Sequence, residues 1–185
     1  MRNLFFIACL MSLSLMANKN QDPCKGLNSH QGPGFSCKSE DNKNKHRIVI
    51  VGTAGRGDNV TAVSDYVTEK LGWCGIGAHY FVEANGDIYR CRPLDQLAAV
   101  EKTVNFDGTV IQGNREAVGI QVAVPQDQSE LSIKFQTNLV KLMRNIMGVF
   151  DIPVSRFSVH FDGFHQPAPI VRLFLREVFG SEGDL

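Results

Sequence analysis

The chain has 185 residues, 43% of them hydrophobic and 21% charged, with 19 lysines and arginines against 19 aspartates and glutamates. That length favours a single folded domain. The balance of charge excludes a bulk field that would draw the protein onto nucleic acid or an anionic membrane, so any partner must be recognised by a shaped local site.

Residues 1–17 read as a secretory signal peptide: Arg2 gives a short positive start, Leu4 to Leu15 is mostly apolar, and Ala17 is a small residue suited to cleavage. An uncleaved anchor is the other reading, although the run is short for a bilayer span and no stop-transfer segment follows. Ile7-Ala8-Cys9 comes too early in the apolar run to act as a lipoprotein box. A secreted or periplasmic protein with no membrane span in the mature chain is expected. Cleavage would leave Cys24, Cys37, Cys74 and Cys91. An even count permits two disulfides in three connectivities. Cys24 with Cys37 is the preferred pair, while Cys74 and Cys91 form either a second bridge or two buried thiols. Residues 18–45, rich in Asn, Lys, Gly, Ser and Pro, bury too little apolar surface to offset their ordering entropy and read as a flexible linker or disulfide-stapled arm.

The folded domain is expected over residues 46–185. Arg47-Ile48-Val49-Ile50-Val51 is apolar on both faces, as in a central strand covered from both sides. Gly52-Thr53-Ala54-Gly55-Arg56-Gly57 breaks it, without the Gly-Lys-Ser/Thr ending of a phosphate-binding loop. Asp58 or Asn59 caps a helix to about Leu71, with Val60, Val63, Val67 and Leu71 along one face. Asn59-Val60-Thr61 is also a glycosylation sequon, though the cap is the preferred role. Ala78 to Glu83 and Asp87 to Cys91 form a hairpin, whose Asn85-Gly86 supplies the positive φ angles of a tight turn. A polar loop from Glu101 to Arg115 leads to a strand over Ala117 to Val122. An amphipathic helix follows from about Leu131 to Phe150, with Phe135, Leu139, Leu142, Met143, Ile146 and Phe150 on one stripe. Pro153 ends that region, Phe157 to His160 is a short strand, and Pro169 to Phe179 is a closing helix. The order β-α-β-β-β-α-β-α predicts an α/β fold with a single mixed sheet flanked by helices.

Five stretches of the domain carry a resemblance. Ile50-Val51-Gly52-Thr53-Ala54-Gly55 resembles a strand ending in HHTAG. Leu71-Gly72-Trp73-Cys74-Gly75-Ile76-Gly77-Ala78-His79-Tyr80-Phe81-Val82 resembles GW-x-x-I-(G/S)-x-H-(Y/F). Asn85-Gly86-Asp87-Ile88-Tyr89-Arg90-Cys91-Arg92-Pro93-Leu94 is similar to DG-x-(I/V)-Y-x-x-RP-L. Ala117-Val118-Gly119-Ile120-Gln121 resembles SIGIE, and Ser158-Val159-His160-Phe161-Asp162 resembles GH-x-D. In this order, from His46 onward, they resemble the type 2 N-acetylmuramoyl-L-alanine amidases and the related peptidoglycan recognition proteins.

The resemblance implies a zinc ion held by the first His of HHTAG, the His of the late motif and an Asp or Cys before a Pro. The metal activates water against the lactyl–alanine amide. A Glu in the SIGIE strand, or a Tyr just before the hairpin His, assists the proton transfers. Here the metal positions fall on Val51, His160 and Gln166, and the proton-transfer positions on Gln121 and Ala78. Only His160 matches, so the expectation is a module that recognises peptidoglycan or muramyl peptides without catalysis and without a cofactor. His79, Tyr80, Arg92, Gln121 and His160 are its candidate ligand contacts.

Two alternatives stand beside it. One is an active zinc amidase with a metal site rebuilt from His160, His165 and Asp162, since two His and a carboxylate make a legitimate zinc set. The other is a protein-binding adaptor of an envelope or secretion complex, using the Glu101 to Arg115 loop. Plainer roles remain open for single residues: His79 as a satisfied buried histidine, His160 as a relic, His165 as a solvated loop residue, and Arg92 as half of a surface ion pair. Trp73, Tyr80 and Phe81 would be core and groove wall.

Overall fold

The computed structural model describes residues 44–53, 55–73, 75–99, 102–105, 110–112, 116–160 and 166–180. The expected leader, the arm up to residue 43, and Cys24, Cys37 and Cys74 lie outside the described residues.

Strand β1 (Arg47–Gly52) is buried at all six positions, as a β-branched run covered on both sides requires. Asn59 then caps α1 (Val60–Asp65), its side chain accepting from the Ala62 N–H at 2.9 Å. The Glu83 carboxylate receives the Val60 N–H at 3.0 Å, so the hairpin supports the same helix end. The helix does not continue regularly to Leu71. Tyr66–Lys70 winds as a π-helical turn, where the Thr68 hydroxyl donates to the Ser64 carbonyl at 2.8 Å. Next come β2 (Tyr80–Glu83), β3 (Ile88–Arg90), β4 (Lys102–Asn105), β5 (Val110–Gln112) and β6 (Ala117–Ala123). Helix α2 (Ile133–Phe150) is capped by Ser132 and ends on left-handed Asp151; β7 (Phe157–His160) and α3 (Pro169–Phe179) are the last elements among the described residues.

The seven strands form one sheet in the order β3-β2-β6-β1-β7-β4-β5. The inner strands β2, β6, β1 and β7 are parallel, and the outer ones pair antiparallel. The mixed sheet flanked by helices agrees with the sequence expectation. Its strand count does not: the segment from Glu101 to Arg115, expected as a polar loop, contributes the β4–β5 hairpin, which extends the sheet from β7.

The side-chain alternation of the strands sends Ile48, Ile50, Val118, Ile120, Val122, Phe157 and Val159 into a core with Phe135, Leu139 and Met143 of α2 and Val171 and Leu175 of α3. On the other face, Val60, Val63 and Val67 pack on Ile76, Ala78, Phe81 and Ala123, while Val49 and Val51 meet Ala98 and Ala117. In the hairpin turn only Gly86 has positive φ (88°), not Asn85, and the Gly86 N–H bonds the Glu83 carbonyl at 2.8 Å. A Cβ on Gly86 would lie 2.6 Å from the Phe135 nitrogen, so the turn and the start of α2 depend on its absence. Among the described residues, no helix is long and apolar enough to cross a membrane.

Phe135 is fully buried, whereas Ile133 on the same helix is 83% exposed. Phe135→Ala is therefore expected to lower stability by about 3–5 kcal/mol, and Ile133→Ala by under about 0.5 kcal/mol; urea denaturation of the two variants checks the contrast.

Candidate functional site

A row of residues crosses the sheet at the carboxyl ends of its parallel strands, where open α/β sheets carry their sites. The register places Gln121 between Phe81 and Val51. On the other side of β1, Ile50 pairs with Val159, so His160 comes next on β7, beside Thr103 of β4. Phe157 and Val159 belong to the α2–α3 core, and His160 follows Val159 as the last residue of β7. For His160 only the strand position is described.

Val51 is 7% exposed and presents only methyl groups. Gln121, 8% exposed, donates from Nε2 to the Gly52 carbonyl at 3.2 Å. Gln166 arrives from the other side with its backbone against the end of β1. A Cβ on Gly52 would overlap the Gln166 carbonyl oxygen and come within 2.9 Å of its carbon and 3.2 Å of the Pro167 nitrogen. The Gln126 carboxamide donates to that Gln166 carbonyl at 2.9 Å, fixing the strap in place. The register thus sets Val51, Gln121 and the His160 position side by side, and the Gln166 backbone lies against Gly52 at the end of β1. Asp162 and His165 lie outside the described residues.

The other expected contacts are placed differently. Tyr80 pairs with Ile120 and packs against the α2–α3 core, on the face away from the row. Burial pushes its hydroxyl above the ordinary tyrosine range, against the lowering field of Arg90. Ala78, at the alternative proton-transfer position, is buried under α1. Arg92 is buried, and donates to the Leu97 carbonyl at 3.0 Å and the Ile76 carbonyl at 3.4 Å.

His79 has no exposed surface. Its Nδ1 accepts the Gly119 N–H at 3.0 Å, which assigns the ring proton to Nε2, 3.0 Å from the Gln96 carbonyl. Both nitrogens are engaged by backbone, so the ring matches the satisfied-histidine reading and cannot offer a ligand contact in this arrangement. Desolvation, reinforced by Lys45, lowers its pKa to about 3. Lys45, at the end of the arm expected over residues 18–45, belongs to the folded domain. It is 1% exposed, and its ammonium donates to the same Gln96 carbonyl at 3.1 Å. Burial lowers its pKa to about 8, opposed by Asp95. His79 and Lys45 together hold the segment carrying Gln96 and Ala98 over Val49 and Ala117. No motif marks Lys45; its polar neighbours in sequence hide it.

A profile of the family described as N-acetylmuramoyl-L-alanine amidase matches residues 41–170. No curated protein matches the chain. Solved structures share the fold at low identity. The N-acetylmuramoyl-L-alanine amidase LysC from Clostridium intestinale URNW is 22% identical at a TM-score of 0.56, with 76% of this chain and 89% of that one covered. The Ph2119 endolysin of Thermus scotoductus MAT2119 bacteriophage Ph2119 is 17% identical at 0.53, covering 83% and 90%. The ectodomain complex of peptidoglycan recognition proteins LCa and LCx, solved with tracheal cytotoxin, is 18% identical at 0.57, covering 72% and 82%.

The site geometry makes two predictions. Gly52→Ala forces backbone against backbone and is expected to cost about 1–3 kcal/mol, seen as a lower urea midpoint. For His79, the unfolded ring titrates near 6.5 and the folded ring near 3. Between those values only the unfolded chain takes the proton, so stability falls as the pH drops through that window, by up to about 1.4 kcal/mol per pH unit. Urea midpoints at pH 7 and pH 5 test this, and His79→Phe should remove one proton's share of the slope.

Proposed function

Because the chain belongs to the N-acetylmuramoyl-L-alanine amidase family, we propose that it is a peptidoglycan-recognition module that holds a muramyl peptide along the Gln121–Val51–His160 row without hydrolysing it. The observation that carries this reading is the chemistry of the row. A catalytic zinc needs three protein donors and an open position. Val51 has no lone pair, and Gln166 is a neutral amide whose backbone carbonyl already accepts from Gln126. These residues do not fit the metal the family uses.

Proton transfer fails on the same row. A general base has to take up and return a proton. The Gln121 carboxamide has no accessible protonation change, and its nitrogen is turned onto the Gly52 carbonyl. Removing both the metal and the base takes away the interactions that would stabilise a tetrahedral transition state. The fold shared with recognition proteins solved with tracheal cytotoxin supports a muramyl peptide as the ligand class. Residues 1–17 support export to where that ligand occurs.

The purified chain is expected to be retained on insoluble peptidoglycan, to release no free stem peptide from muropeptides by mass spectrometry, and to carry zinc far below stoichiometry. Near-stoichiometric zinc that is lost in a His160→Ala, His165→Ala double variant, together with stem-peptide release, would overturn this in favour of a rebuilt amidase. Neither retention nor hydrolysis would favour a protein partner instead.

A further inference from the structure

The 93–99 segment follows β3 and lays Ala98 against Val49, Val51 and Ala117. It is held through its backbone. Lys45 Nζ and His79 Nε2 both donate to the Gln96 carbonyl, at 3.1 and 3.0 Å, and Arg92 donates to the Leu97 carbonyl at 3.0 Å. The Ala99 N–H bonds the Gly77 carbonyl at 2.9 Å. The His79 ring clamps this segment to β6, because its Nδ1 accepts the Gly119 N–H at 3.0 Å while Nε2 reaches Gln96. That arrangement admits only the neutral ring. A proton on Nδ1 would set donor against donor at Gly119 and leave a buried N–H without an acceptor. The charges acting on the ring are those of Lys45, Arg92 and Arg90, all positive, while the Asp95 carboxylate acts on Lys45.

A proton arriving at His79 must therefore part the ring from one of its two partners, and the two are held very differently. Gly119 lies in β6, which is paired with β1 on one edge and β2 on the other, and its carbonyl receives the His79 N–H at 2.9 Å. The 93–99 segment lies outside the sheet and has no strand pairing. It is the side that gives way. We propose that the 93–99 segment is an acid-sensitive flap: protonation of His79 releases it from β6, and the Val49 and Val51 side chains of β1 are uncovered while the sheet stays folded. The device stands whether or not a muramyl peptide binds the row.

Native-state hydrogen exchange on the whole protein, read by mass spectrometry at pH 7 and pH 5 and corrected for intrinsic rates, tests this. At pH 7 the amides of the 93–99 segment are expected to exchange through an opening less costly than that of the β6 amides. The closed ring titrates at about 3 and the released ring near 6.5, so the open population should rise roughly twentyfold between pH 7 and pH 5. In His79→Gln, whose carboxamide can both accept and donate but takes no proton, that rise should be absent. Exchange of the segment and β6 through one common opening at both pH values overturns the proposal, because the domain then opens only as a whole. A separate opening that ignores pH overturns the role of His79, as does a rise that persists in His79→Gln. The comparison on native protein needs no variant, so a His79→Gln chain that fails to fold does not block the test.

Discussion

Everything in the site depends on the parallel pairing of β1 between β6 and β7, with both faces of β1 covered. Parallel strands need helical crossovers, and those crossovers are α1 and α2 with the segments around them. Burial on two faces leaves β1 no freedom to slip, because a shift of one residue would exchange Ile48 and Ile50 for Val49 and Val51 across the sheet. Once this register is set, Gln121 and the His160 position must lie level with Val51. The row is a consequence of how the core is packed.

The same packing explains the closed end of the row. The Gln166–Pro167 backbone lies so close to β1 that position 52 has space only for a hydrogen. The carbonyl of Gly52 then becomes the natural acceptor for Gln121, and the Gln166 carbonyl is met by Gln126. Polar groups at the edge of a dry site need such partners. Each of these bonds settles a group that would otherwise be poised to interact with an ion or a proton. The interior behind the row follows the same rule. His79 bridges Gly119 to Gln96, and Lys45 joins it on the Gln96 carbonyl, which fixes the segment above Val49. These are basic side chains used as struts, and their lowered pKa values reflect the desolvation they endure.

Much of the fold was legible in the residues because its main strands and helices have strong periodic patterns. The continuous apolar run of β1, the alternation through β6 and the stripe of α2 are each decisive within a few residues. The β4–β5 hairpin was not legible. Lys102–Asn105 and Val110–Gln112 are short, and β4 gains its place by pairing with β7, more than fifty residues further along the chain. Short strands of this kind owe their existence to a partner more than to propensity. The turn at Gly86 was half legible: the glycine was needed, but its reason includes the α2 backbone pressed against it.

The sequence by itself determined the chemistry available at each position of the site. Valine at 51 and glutamine at 121 and 166 have the same donors, or lack of them, in any conformation. Only the tertiary structure decided which side chains reach the row. Tyr80 and His79 are neighbours, yet one packs beneath α2 and α3 and the other is sealed between Gly119 and Gln96, while Gln121, more than forty residues beyond them, bonds the Gly52 carbonyl beside Val51. Alternation along a strand fixes only that neighbours face opposite sides. Which side meets α2 and α3 and which carries the row is set by the layers that other segments lay on the sheet, and no local pattern carries that information.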